Sequence, residues 1–94
     1  MEAVQNIKQI KPDISPDFDY VATHYAITIG GKRTTVAIEG YLIKPLVKRF
    51  MLSSSTEIRR WIEKRIDADA KFNANATGLT VTAQVKRIIV EAIV

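Results

Sequence analysis

Two runs of alternating residues flank Gly30-Gly31, and this pattern limits the folds open to the chain more than any other feature. In His24-Tyr25-Ala26-Ile27-Thr28-Ile29, the side chains of Tyr25, Ile27 and Ile29 would share one face of an extended strand. In Lys32-Arg33-Thr34-Thr35-Val36-Ala37-Ile38, Thr34, Val36 and Ile38 would do the same. Glycine tolerates the positive φ that both centres of a tight hairpin turn require. A two-residue turn sets Ile27 opposite Thr34 and Tyr25 opposite Val36, so the apolar faces coincide. The pattern thus allows a hairpin over 24–38, with an extra N-terminal strand at 24–29 beside the main strand at 32–38.

Helical periodicity follows. Gly40 breaks the strand, and Leu42, Leu46 and Phe50 recur at spacings of four, with Ile43 and Val47 beside them. This predicts a helix over 41–52. Pro45 falls inside the pattern, which argues for a later or tightened start. Ser53-Ser54-Ser55-Thr56-Glu57 is a helix-start signal, in which Ser54 accepts from the amide of residue 57 and Glu57 reaches back to the amide of Ser54. The helix predicted over 54–67 carries Ile58, Trp61, Ile62 and Ile66 on one stripe, with Arg59, Arg60, Glu63 and Lys64 largely opposite. Residues 67–78 read mostly as a loop. A last helix over 80–94, with Thr80 as its N-cap, buries Val81, Val85, Ile88, Ile89, Ala92 and Ile93. The segment before all this holds Pro12 and Pro16 among aspartates, and residues 1–22 read as a flexible N-terminal arm ahead of a domain at 23–94.

Composition narrows the chemistry. The chain has 94 residues, enough for one thin-cored domain. It lacks cysteine and has a single histidine, His24, which reads as a solvent-facing or hydrogen-bonded side chain. Thiol catalysis, zinc–cysteine sites and histidine relays therefore lack their parts. Gly30-Gly31-Lys32 does not have P-loop spacing. An enzyme is not expected, nor is a cofactor or a metal. No apolar run approaches the roughly 20 residues of a membrane span, and no signal peptide is read at Met1–Asn6, so a cytoplasmic, nucleoid-associated protein is expected. Charge is uneven. Residues 32–66 hold nine basic and three acidic side chains, while 1–31 are net negative and 67–94 neutral. Such clustering is the footprint of a polyanion partner, or of a solvated basic surface.

The expected class is α+β, mostly α: strand, helix, helix, then a C-terminal helix. A lone strand with two amphipathic helices leaves unpaired backbone edges and an open core. One solution is for two copies to pair their strands antiparallel. In this order of elements, Lys32-Arg33-Thr34-Thr35-Val36-Ala37-Ile38-Glu39, then the helix from Tyr41 to Leu52, then Ser53-Ser54-Ser55-Thr56, the chain resembles the ribbon-helix-helix family of Arc/MetJ-type DNA-binding proteins. It is most similar to members with an Arg-Thr-x-Val-x-Leu-Glu strand, Ile38 standing at the leucine, and a third helix.

The resemblance implies a homodimer with an intermolecular two-stranded antiparallel ribbon inserted in the DNA major groove, and a transcriptional repressor or regulator of phage, plasmid or bacterial type. It implies base reading by Arg33, Thr35 and Ala37, the last by apolar contact only. Phosphate contacts would come from Lys32, from Ser53, Ser54 and Ser55 at the entry to the second helix, and from Lys44, Lys48 and Arg49. The serines also serve as caps, and the lysines and Arg49 also suit a solvated helix face. The dimer core would hold Val36, Ile38, Leu46, Ile58, Trp61 and Ile62. A paired strand at 24–29 would instead widen the dimer to four strands, or mark a different fold. Two other functions stay open: an antitoxin-like module whose arm captures a protein partner, and a small interaction or assembly protein with no DNA role.

Overall fold

The computed structural model of the chain describes residues 17–76 and 79–94; most of the N-terminal arm lies outside them. A helical turn, α1 (Asp17–Tyr20), leads into β1 (Ala22–Ile29) and β2 (Lys32–Glu39). Three helices follow: α2 (Gly40–Phe50), α3 (Ser55–Ala68) and α4 (Leu79–Ile93). The hairpin is real and lies within one chain. Gly30 and Gly31 both have positive φ, 57° and 81°, which suits a turn whose twist matches that of the strands. The register opposes Ile27 to Thr34 and Tyr25 to Val36, as the alternation requires.

The inner face of the hairpin is the lid of the core. Tyr25, Ile27, Ile29, Val36 and Ile38 point down onto the helices, β1 over α3 and β2 over α4. Beneath them lie Leu42, Ile43 and Leu46 of α2, Ile58, Ile62 and Ile66 of α3, and Val81, Val85, Ile88 and Ile89 of α4. Each helix presents the spacing of three and four that makes one apolar stripe. Val36, Ile38, Leu46, Ile58 and Ile62, expected at a dimer core, are thus already buried within one chain. Trp61 is only partly buried, set against Phe50 at 5.1 Å between ring centroids, with the Arg65 guanidinium 4.9 Å from its ring. β1 provides a second strand beside β2, so the core closes within one chain.

Local signals explain the helix ends. Residue 40 opens α2 with no intervening loop, its N–H donating to the Val21 carbonyl at 3.3 Å. Pro45 sits inside α2 and does not delay its start. The ring removes one helical donor, and the burial of Leu42, Ile43 and Leu46 around it outweighs that loss. Met51, at φ 54° and ψ 45°, stops α2 in the left-handed conformation and donates to the Val47 carbonyl. At α3, Ser54 Oγ accepts from the Glu57 amide at 3.2 Å. The Glu57 carboxylate reaches Ser53 rather than Ser54, accepting from its N–H at 2.6 Å and its hydroxyl at 3.0 Å. The last helix begins at Leu79, so Thr80 lies in its first turn and does not cap it.

Three carboxyls record these contacts. The Ser53 N–H and hydroxyl hold Glu57 below its ordinary value. Lys86 does the same for Glu39, and the Lys71 N–H followed by Arg87 for Asp69. Each group is more acidic folded than unfolded. Its stabilisation is present above the ordinary carboxylate range near about 4 and is lost as pH falls through the lowered folded values. Urea midpoints are therefore expected to drop steadily on acidification below about pH 4, and less steeply in Glu57→Gln. A profile flat down to about pH 2 would contradict these contacts.

Candidate nucleic-acid interface

Backbone geometry decides which groups the hairpin leaves open. In a two-residue hairpin the turn-closing residues, Ile29 and Lys32, exchange hydrogen bonds, and the pattern alternates from there. The N–H and C=O groups of Thr28, Ala26 and His24 on β1 therefore point away from β2, and those of Arg33, Thr35 and Ala37 point away from β1. On the β1 side, α3 covers part of this edge: Glu63 Oε2 accepts from the Thr28 N–H at 2.7 Å. On the β2 side, Arg33, Thr35 and Ala37 have no hydrogen-bond partner for these groups among the described residues. β2 is an open edge.

The outward face carries the side chains of the same residues. Arg33 and Thr35 are exposed and Ala37 is half-buried; across the ribbon His24 and Thr28 are exposed and Ala26 is half-buried. The structure thus sets the three expected base-reading residues on one solvent-open face. It does not place Lys32 with them. Lys32 alternates to the other face and borders a groove of about 310 Å³ at the hairpin tip, which Arg33 also reaches, formed with Ile29, Thr34, Ala74–Ala76 and Val81.

The expected phosphate contacts are divided. At the start of α3, the Ser53 and Glu57 amides are already bonded within the cap, and the Glu57 carboxylate occupies the place an anion would take. Lys44 is paired with Asp19 at 2.7 Å. Lys48 and Arg49 are exposed in the last turn of α2, where cations suit the helix dipole. None of these three borders the groove beside the ribbon.

That groove, about 260 Å³, runs between the outward face of the hairpin and α3. Its walls are Ala26, Thr28 and Arg33 on one side and Thr56, Arg59, Arg60 and Glu63 on the other. Arg59 and Arg60 were not among the sequence candidates. Their helical position placed them opposite the apolar stripe, but not beside a particular strand. The packing of Ile58, Ile62 and Ile66 sets the roll of α3, the Thr28–Glu63 bond accompanies it, and no local pattern announces it.

Among the described residues there is no group of three or more His, Cys, Asp or Glu that could hold a metal ion, and no helix is long and apolar enough to cross a membrane. No family model matches the chain, and neither a curated protein nor a solved structure matches it. The geometry alone defines the class: a small α+β domain in which a two-stranded ribbon, open along one edge, lies on three helices.

Proposed function

We propose that this protein binds double-stranded DNA as a homodimer, with the outward face of the ribbon toward the major groove, and acts as a transcriptional regulator. The observation that carries this reading is the character of β2. Its outward side chains include an exposed arginine, and the N–H and C=O groups of its outer edge beside them have no partner among the described residues. An open edge is a template for a second strand. Pairing β2 with its copy gives a sheet ordered β1-β2-β2-β1 and brings two sets of Arg33, Thr35 and Ala37 together at its centre.

The flanking strands change how such a sheet meets DNA. Its outermost strands would stand about 14 Å apart, against a major groove about 12 Å wide. The sheet therefore rests across the groove mouth and reaches inward through its longest central side chain, Arg33. Thr35 and Ala37 are short and support the contact from behind. A guanidinium can donate two hydrogen bonds to guanine.

Arg33→Ala is expected to weaken binding to a duplex selected from a random pool by about 1–3 kcal/mol. It leaves the melting transition within about 0.5 kcal/mol of the parent, because the side chain is exposed. Fluorescence polarisation with selected and random duplexes measures the binding, and thermal melting followed by circular dichroism measures the stability. No duplex binding at about 100 μM protein in low salt would overturn the reading. It would favour an interaction module without a DNA role, a reading that draws on the closure of the core within one chain.

A further inference from the structure

The groove between the ribbon and α3 gathers more positive charge than the fold offsets, although the Glu57 carboxylate one turn before Arg60 feels that guanidinium. Three guanidiniums border it, those of Arg33, Arg59 and Arg60, against one carboxylate, Glu63. That carboxylate is engaged by the Thr28 amide. None of the three arginines forms an ion pair among the described residues. Other cations of the chain do: Lys44 with Asp19, Lys86 with Glu39, and Arg87 with Asp69 and Glu91. Arg59 makes one neutral contact, donating to Thr56 Oγ1 at 3.3 Å, and both residues border the groove. Arg60 is exposed and Arg59 half-buried, so donors remain available at the open side. Planar guanidiniums suit tetrahedral oxyanions, which they can contact through paired N–H groups.

We infer that Arg59 and Arg60 grip a phosphodiester of the duplex backbone, so that α3 holds the strand at the rim of the groove while Arg33 reaches inward. This rests on the duplex-binding reading above and adds a site to it. A sheet lying across the groove mouth places β1, and α3 beyond it, over the sugar–phosphate rim. In the dimer each copy then holds one rim. The helix contributes side chains here, in place of its capped N-terminus.

Salt dependence tests this. The logarithm of affinity falls with the logarithm of salt concentration in proportion to the phosphates neutralised, with a slope of about −0.9 per contact on duplex DNA. The chain and its Arg59→Gln/Arg60→Gln variant are titrated against random duplex across a sodium chloride series. The variant is expected to lose about ten-fold or more in affinity at low salt and to show a slope shallower by about one to two. Its melting curve is expected to match the parent's. The charge-conserving Arg59→Lys/Arg60→Lys pair recovers most of the slope, which a purely structural role would not produce. Inorganic phosphate at matched ionic strength displaces duplex no better than chloride. If it displaced duplex selectively, the site would belong to free phosphate and the inference would fall. If the parent binds duplex and the glutamine variant keeps its slope, the clamp is wrong and duplex binding stands. If the parent does not bind, both readings fall together.

Discussion

Ile62→Ala is expected to remove about 2–5 kcal/mol of stability, a large share of the roughly 5–14 kcal/mol that a domain of this size has. Ile62 is fully buried at the middle of α3, beneath the hairpin and between Ile58 and Ile66. The substitution deletes packed methylenes and leaves a cavity that rigid neighbours only partly fill. Arg60→Ala, two residues earlier and exposed, is expected to change stability by no more than about 0.5 kcal/mol. Urea denaturation of both variants checks the contrast. The experiment also addresses where the core is closed. In a chain kept monomeric, a core completed within one chain unfolds at a midpoint independent of protein concentration, whereas one completed only between two chains does not fold; a dimer of self-sufficient domains still shifts with concentration by mass action. Fully buried Ile27, Ile38, Leu46, Val85 and Ile89 in a single copy predict the first. A loss below about 1 kcal/mol for Ile62→Ala would mean that α3 does not pack as described.

How much of this could be read in advance depends on the range of the interaction. The hairpin was legible because alternation, Gly30-Gly31 and register are local and mutually consistent. The cap of α3 was legible to within one residue: Ser54 and Glu57 are its members, but the carboxylate turns to Ser53. Local reading misled at Pro45, where burial around α2 overrides a lost hydrogen bond. It misled more seriously on closure. The order strand, helix, helix suggests a core completed by a second copy, whereas β1 and α4 complete it within one chain; local pattern offers the strand at 24–29 but not its weight in the core. The candidate site divides in the same way. That Arg33, Thr35 and Ala37 share a face follows from a period of two. That Arg59 and Arg60 line the same groove depends on how α3 is rolled against β1. The roll follows from the packing of Ile58, Ile62 and Ile66 and a contact 35 residues apart in sequence, which no spacing rule encodes.

Proline at 35 is expected to separate the two ways β2 forms hydrogen bonds. The Thr35 N–H points away from β1, because Thr35 and Ala26 form a non-bonded pair in the ladder, and it has no partner among the described residues. A sheet edge tolerates proline where the missing N–H would face solvent. Thr35→Pro should therefore keep the hairpin and its core, with a far-UV spectrum close to that of the parent. Proline one residue earlier, Thr34→Pro, removes a donor that bonds Ile27 across the ladder, and is expected to unfold the hairpin. At 35 the lost donor belongs to the pairing of β2 with its copy. The parent should sediment as a dimer of the 10.5 kDa chain and Thr35→Pro as a monomer. Thr35→Val, which keeps the N–H, should remain dimeric. Losing the second half of a bivalent contact lowers avidity for duplex by about 10²- to 10⁴-fold, more than the loss of any single side chain considered above. A Thr35→Pro chain that is still dimeric would place the interface on another face. A parent that is monomeric yet binds duplex tightly would mean that one hairpin, with its own α3, forms the whole DNA contact.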